Sequence, residues 1–260
     1  MENMIQNQDF FAFIAGNSNM HSRRSDWWTR YSDLFSIEIQ NLHSSTKDSF
    51  ALGEIGLIEF PYVSFGSINT THLFGLDELI IFSWYFKNKN KYVKVLDLGA
   101  NVGLHSLIMS KLGFSVDAYE PDPKHFGLLE RVVSLNLTMG GVAVHQRAVS
   151  KADGKMKFTR VLGNTTGSHL SGAKFAPYGE LEEIEVEVDG IDSILKKKFD
   201  FVKMDVEGHE VVLLSAISRE NILETEFMLE IGTLENAKLA YMEIKRLGLT
   251  CPQLVSQNLY

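Results

Sequence analysis

From residue 91 onward, short and nearly uninterrupted apolar runs alternate with segments of helical spacing. KVLDLG, SVDAYEP, GVAVHQRAVS, FDFVKMD and EFMLEIG read as strands. VGLHSLIMSKLG, PKHFGLLERVVSLNL, GIDSILKK, EVVLLSAI and LENAKLAYMEIKRLG read as helices around them. A strand apolar on both faces must be covered on both faces, and helical crossovers make its neighbours parallel. The expected fold is α/β, a doubly wound and mainly parallel sheet. Its ligand should sit beyond the carboxyl ends of the strands. KMKFTRV and LEEIEVEVDG alternate apolar and polar residues, and predict a hairpin or β-insertion around the Gly-rich loop 163–172.

Residues 1–90 follow another pattern. SDWWTRYSDLFSIEIQNL has helical spacing, with Trp28, Tyr31, Leu34 and Phe35 on one face. EIGLIEFPYVSFGS reads as extended, with a turn near Pro61. LDELIIFSWYFKN reads as a helix whose first turn carries Asp77 and Glu78, where carboxylates suit the positive end of the dipole. The expected organisation is an N-terminal cap or lid, 1–90, followed by a ligand-binding domain, 91–260.

Bulk properties exclude several classes of partner. The net charge of −8 disfavours a nucleic-acid backbone. A single cysteine, Cys251, excludes an intrachain disulfide and a cysteine-based zinc site. The longest apolar stretch near the front, LIIFSWYF, is far short of the ~18 residues of a membrane span. MENMIQNQDFFAF has no basic segment followed by an apolar core, so no secretory signal is expected. The expected setting is cytoplasmic.

The strongest local signal is VLDLGANVGLHS, a strand, a tight loop and the start of a helix. Gly99 and Gly103 permit the turn and a close backbone approach to a ligand. The dinucleotide fingerprint G-x-G-x-x-G is broken, because Asn101 and Leu104 stand where its second and third glycines belong. Asp97, just before the loop, repels phosphate. Glu120 follows the next strand, where an acid accepts hydrogen bonds from ribose hydroxyls. Two such acids describe a nucleoside with a cationic tail and no phosphates, and S-adenosylmethionine meets that description.

Taken together, VLDLGANVG, YEPDP, RAVS and VKMDVEGHE resemble the FkbM-type branch of the class I S-adenosylmethionine-dependent methyltransferases. The resemblance covers roughly residues 77–232 and implies a Rossmann-like fold. It places Gly99, Ala100 and Asn101 along the methionine end of the cofactor, with Asp97 at its ammonium group and Gly103 also among the cofactor-binding residues. Glu120 and Pro121 lie at the ribose, and Ala148 and Val149, at the end of the third strand, line the adenine. Asp205 lies beside the transferring methyl, and Glu78 matches an acid near the amino group.

For the chemistry, an alcohol acceptor must lose a proton. His209 is the first candidate base and Asp205 the alternative, with Glu207 orienting either group. His209 as a plain helix-start residue stays open beside these. Asp205, Glu207, His209 and Glu210 also form an oxygen-rich cluster that suits magnesium. A metal is disfavoured because four groups so close along the chain cannot all point one way. GNTTGSHL reads equally as a polar acceptor contact or an exposed turn, and His125 and His145 as packing or surface residues. The adjacent tryptophans of DWWTR read as core anchors ahead of a sugar-stacking platform.

Class I methyltransferase sheets usually have seven strands, but only 28 residues follow FMLEIG, with LTCPQLVSQ as a possible strand. A shortened C-terminal end is expected, its final hairpin absent or replaced by N-terminal strands. The expected function is O-methylation of a sugar, glycan or small hydroxylated metabolite. The rivals are N-methylation of an amine or peptide, and a non-catalytic cofactor-binding or interaction protein.

Overall fold

The computed structural model of the chain describes residues 3–174 and 179–250. The N-terminal part contributes helices α1 (Phe10–Gly16), α2 (Asp26–Leu42) and α3 (Leu76–Lys87) and strands β1 (Ser49–Leu52) and β2 (Gly56–Glu59). Then follow β3 (Lys94–Leu98), α4 (Leu104–Lys111), β4 (Ser115–Tyr119), α5 (Pro123–Leu135) and β5 (Val142–His145). Strands β6 (Ala148–Ser150), β7 (Gly154–Val161), β8 (His169–Leu170) and β9 (Leu181–Gly190) come next, with helix α6 (Ile191–Leu195). The last elements are β10 (Phe201–Met204), α7 (Glu210–Ala216), β11 (Glu226–Leu229) and α8 (Leu234–Arg246).

The central sheet has five strands in the order β11-β10-β3-β4-β5, and every pairing in it is parallel. Order and connectivity make it the doubly wound α/β arrangement that the strand–helix alternation predicts. Side chains alternate between faces along each strand. Leu96, Leu98, Val202 and Met204 face Leu213, Leu214 and Ile191 on one side. Val95 and Phe201 face the other side, under α3, where Trp84, Tyr92 and Phe201 cluster with Tyr92 and Phe201 stacked at 5.2 Å. Phe10, Phe11 and Phe35 extend that same core into the N-terminal helices through edge-to-face contacts of 5.1 and 5.2 Å. Local chemistry sets the helix starts nearest the ligand face. Asp122 accepts from the backbone N–H of Lys124 at 2.8 Å with Pro123 opening α5, and Gly103 in the left-handed region opens α4.

Several local expectations need correction. GVAVHQRAVS is two strands, not one. β5 belongs to the central sheet, whereas β6 joins a second sheet of order β6-β9-β7-β8. Ala148 and Val149 therefore begin a strand of that second sheet rather than end the third strand of the first. KMKFTRV and LEEIEVEVDG do form the expected antiparallel pair, from Gly154↔Val188 to Val161↔Leu181. In α2, Phe35 and Ile39 are buried but Leu34 is exposed. Among the described residues β1 and β2 pair with each other and not with the central sheet, so they do not take the place of a final hairpin there. Most of LTCPQLVSQ, and Cys251 with it, lies outside the described residues.

Candidate active site

A cavity of about 240 Å³ lies beyond the carboxyl ends of β3, β4, β10 and β11, with its far wall built by the second sheet. One side is the loop after β3. Gly99 has φ +75°, and a Cβ there would lie 1.8 Å from the carbonyl oxygen of Asp205. The loop can cross the end of β10 only if this residue has no side chain. Gly103 has φ +87°, and a Cβ there would meet Leu129 Cδ1 at 2.5 Å. It serves the packing of α4 on α5 and does not line the cavity.

Glu120, one residue past β4, is buried and lines the cavity. Its two oxygens accept from the backbone N–H groups of Asn101 and Asp122, each at 2.8 Å. Burial pushes its pKa up to about 8, against the pull of those two N–H donors. Asn101 takes a left-handed φ of +53° to make its bond, and its Oδ1 is buried without a hydrogen-bond partner. Pro121, Ala148, Val149 and Tyr119 give the apolar surface next to Glu120. Behind it, buried Arg160 holds Asp122 at 2.7 Å and also pairs with Glu182, tying the second sheet to the start of α5.

The other side is acidic. Asp205, Glu207, Glu230 and Glu78 all line the cavity. Glu78 comes from the first turn of α3, and its Oε2 lies 2.9 Å from His105 Nε2 without hydrogen-bond alignment. Glu207 sits at φ +55° and is paired with Lys174, and burial raises its pKa. Glu230 rises to about 8, first because of the neighbouring Asp205 charge and then through burial. The polar remainder of the wall is the β7–β8 segment, with Thr165, Thr166, Ser168 and His169.

Asp97 is fully buried and does not line the cavity. It is the register partner of Lys203 in β10, so both point to the face under α3. Asp97 accepts from Ser106 Oγ at 2.6 Å, and Lys203 Nζ lies 3.4 Å from Asp97 and 3.4 Å from Asp205. Burial alone would lower the Lys203 pKa, but Asp97 and Asp205 outweigh it and raise it. Lys203 is the structural key that sequence reasoning missed. Its signal was available as one charge inside the buried run FVKM.

Ala100, between Gly99 and Asn101, is buried and also off the cavity surface. His209 is not on it either. Gly208 has φ +101°, and with Glu207 it turns the chain so that His209 Nε2 meets Ser150 Oγ of β6 at 2.9 Å. Burial drops its pKa to about 4. It is buried, bonded to Ser150 and off the cavity surface. Glu210 Oε1 accepts from the N–H groups of Val206 and Gly208, both at 3.1 Å, and so braces the turn beyond its own helix start. The four ionisable groups of VEGHE and its preceding Asp thus have four different settings. Among the described residues no three His, Cys, Asp or Glu side chains gather to hold a metal ion. His125, expected as a packing or surface residue, packs against Phe65, but it also lines the cavity and bonds Thr165 Oγ1 at 2.8 Å.

The family model for the methyltransferase FkbM domain matches residues 97–242. The chain belongs to this FkbM family. Among curated proteins, the family member is similar to Methyltransferase sdnD of Sordaria araneosa, at 26% identity over 161 residues. That match takes in 49% of this chain and 61% of sdnD. Two solved structures overlap more loosely. Precorrin-6y C5,15-methyltransferase from Geobacter metallireducens GS-15 has 17% identity and a TM-score of 0.38, over 65% of this chain and 69% of that one. A SAM-dependent methyltransferase from Agrobacterium tumefaciens has 11% identity and a TM-score of 0.37, over 64% and 50%. Overlaps this slight carry no functional weight. The residues of the FkbM chain do fit S-adenosylmethionine on their own chemistry: a loop that a Cβ would fill, an orphaned buried amide oxygen on Asn101, and carboxylates at both ends of the cavity.

Proposed function

We propose that this chain is an S-adenosylmethionine-dependent methyltransferase that methylates a hydroxyl of a sugar, glycan or small hydroxylated metabolite. One observation carries the reading: Glu120 and Asp205 face a single cavity from the ends of β4 and β10, on either side of the bare backbone of Gly99. A buried acid held by two backbone N–H groups suits a pair of ribose hydroxyls. An acid surplus at the opposite end suits a cationic sulfonium and ammonium. Glu120 would hold the ribose, with Pro121, Ala148 and Val149 against the adenine. Gly99, Asn101, Asp205 and Glu78 would hold the methionine end.

When bound, the cofactor supplies a methyl group on a good leaving group. The protein's work is therefore to position the acceptor, exclude water and move one proton. Lys203 pins Asp205 from behind while Asp97 anchors Lys203, so the end of β10 is a fixed wall. Thr165, Thr166, Ser168 and His169 offer small hydrogen-bonding groups to a hydroxylated acceptor. Glu207 is placed to orient it. His209 supports the turn from behind through Ser150. Residues 1–90 act as a cap that brings Glu78 to the cavity.

The reading is tested by calorimetric titration with S-adenosylmethionine, followed by incubation with methyl-labelled cofactor and a panel of methyl glycosides, oligosaccharides and hydroxylated metabolites. Binding together with label on an ether oxygen is expected. Absence of binding at millimolar cofactor refutes the cofactor site. Label confined to nitrogen in a matching amine panel refutes the choice of oxygen.

A further inference from the structure

EFMLEIG carries Glu230 one residue past β11, just as FVKMD carries Asp205 one residue past β10. Met204 and Leu229 are paired in the parallel ladder, and the ladder runs one bond further, from Glu230 N–H to Met204 O at 3.0 Å. Asp205 and Glu230 are therefore the next two residues in register, and both line the cavity. Register partners in a parallel pair project from the same face. The fold thus sets two carboxylates side by side on the wall of the cavity.

The two carboxylates are treated unequally. Asp205 lies 3.4 Å from Lys203 Nζ, and Lys203 is itself anchored by Asp97. Glu230 keeps more of its surface exposed than Asp205 does, though its carboxyl is partly desolvated, and it answers to Asp205 just past β10, to Glu78 on α3 and to Glu207 before α7, with Lys203 acting against them. Adjacent like charges do not both ionise cheaply, so the pair retains a proton, and its seat is the member without the close lysine. Glu207 is the weaker candidate for such work because Lys174 already occupies it.

We propose that Glu230 is the acid–base group of this site: a carboxyl that gives up its proton when the cofactor's positive charge is bound beside Asp205, and then takes the proton of the acceptor hydroxyl. This rests on the reading of the cavity as an S-adenosylmethionine site. In the transfer, the acceptor oxygen forms its bond to the methyl carbon as the carbon–sulfur bond breaks. The hydroxyl proton passes to the Glu230 carboxylate, and the neutral thioether leaves. The site thereby arms its own base only when the cofactor is in place.

Proton release on binding tests the first half. Calorimetry in phosphate and in Tris, at about pH 7.5, gives the protons released from the dependence of the heat on buffer ionisation. S-adenosylmethionine and S-adenosylhomocysteine share the adenosine, so any proton lost from Glu120 cancels in their difference. They differ in the methyl group on sulfur and in the positive charge it brings. The wild type is expected to release more proton with the sulfonium ligand. Glu230→Gln should bind both ligands and lose that excess, and Glu230→Asp should keep most of it. The ratio of the wild-type Kd values, S-adenosylmethionine over S-adenosylhomocysteine, should fall by up to about tenfold per pH unit between about pH 6 and 8, a slope that E230Q flattens. In the labelled-cofactor panel, E230Q should lose about 10²- to 10⁴-fold in kcat with KM for cofactor changed only a few-fold. Unchanged excess release in E230Q, or kcat within about threefold of wild type, overturns the proposal. A wild type that binds neither ligand overturns the cofactor reading instead.

Discussion

Lys203→Met is the most informative single change in this molecule. Lys203 and Asp97 are both buried, and Lys203 Nζ lies 3.4 Å from each of two carboxylates. At that separation and an effective dielectric near 20, each attraction is about 5 kcal/mol before desolvation. Desolvation of the three groups cancels much of this, so the pair's net worth is small. Removing the cation alone is a different matter, because a fully buried carboxylate is left with the Ser106 hydroxyl alone. The expected loss is about 3–5 kcal/mol. In a chain of this size that is a fall in melting temperature of about 6–20 °C. Urea and thermal denaturation of wild type, K203M, D97N and the double variant form the cycle. The double variant should recover more than half of the K203M loss, since it removes the stranded charge as well. Folded Lys203 binds its proton more tightly than the unfolded chain does, so its contribution is complete below about pH 10 and is lost only as pH rises beyond. The K203M deficit should therefore not depend on lysine titration at working pH. A deficit below about 1 kcal/mol, or a double variant no more stable than K203M, would refute the idea of a compensated buried cluster.

Three further outcomes follow from the site geometry. Gly99→Ala forces a Cβ to within 1.8 Å of the Asp205 carbonyl at φ +75°, so the loop must shift, and cofactor affinity in a calorimetric titration should fall at least about tenfold. His209→Gln should keep kcat within a few-fold while changing acid stability. Folded His209 has its pKa lowered to about 4 against 6.5 unfolded, so the wild type loses about 3 kcal/mol as pH falls through that window and the variant should not; a kcat loss near a thousandfold would return His209 to the role of base. Glu120→Gln should weaken cofactor binding by about tenfold or more. Because folded Glu120 holds its proton up to about pH 8, the wild type loses stability as pH climbs from about 4.5 toward 8, and E120Q should be flat across that range by denaturant titration.

The parallel sheet was legible because β3, β4 and β10 carry apolar residues on both faces with few interruptions, as strands covered on both sides do. The Gly99 loop was legible because a left-handed turn against a neighbouring strand needs a residue without a side chain. What escaped the sequence depends on partners far along the chain. GVAVHQRAVS holds no Gly, Pro, Asn or Asp between His145 and Ala148 to mark its break, and the sheet change is accompanied by Arg147 reaching across to Asp189 at 2.6 Å. Lys203 acquires meaning only when β10 aligns with β3, which sets it opposite Asp97. His209 sat close enough to Asp205 in sequence to suggest a shared direction. Left-handed residues at 207 and 208 reverse the chain between them, and they hand the imidazole to Ser150. Glu230 was hidden for the opposite reason: its likeness to Asp205 appears only when the two strands are laid in register.

The step of the chain from β5 to β6 gives the cavity two owners. The central sheet supplies the loops at Gly99 and Glu120, whereas the second sheet supplies Phe158, His169 and Leu170 on the facing wall. The Arg160–Asp122 pair is a bolt between the halves. Such a construction is modular. Residues 162–174 contain no strand of the central sheet, so an engineer could exchange this wall as a cassette and keep the Gly99 and Glu120 loops as a constant chassis.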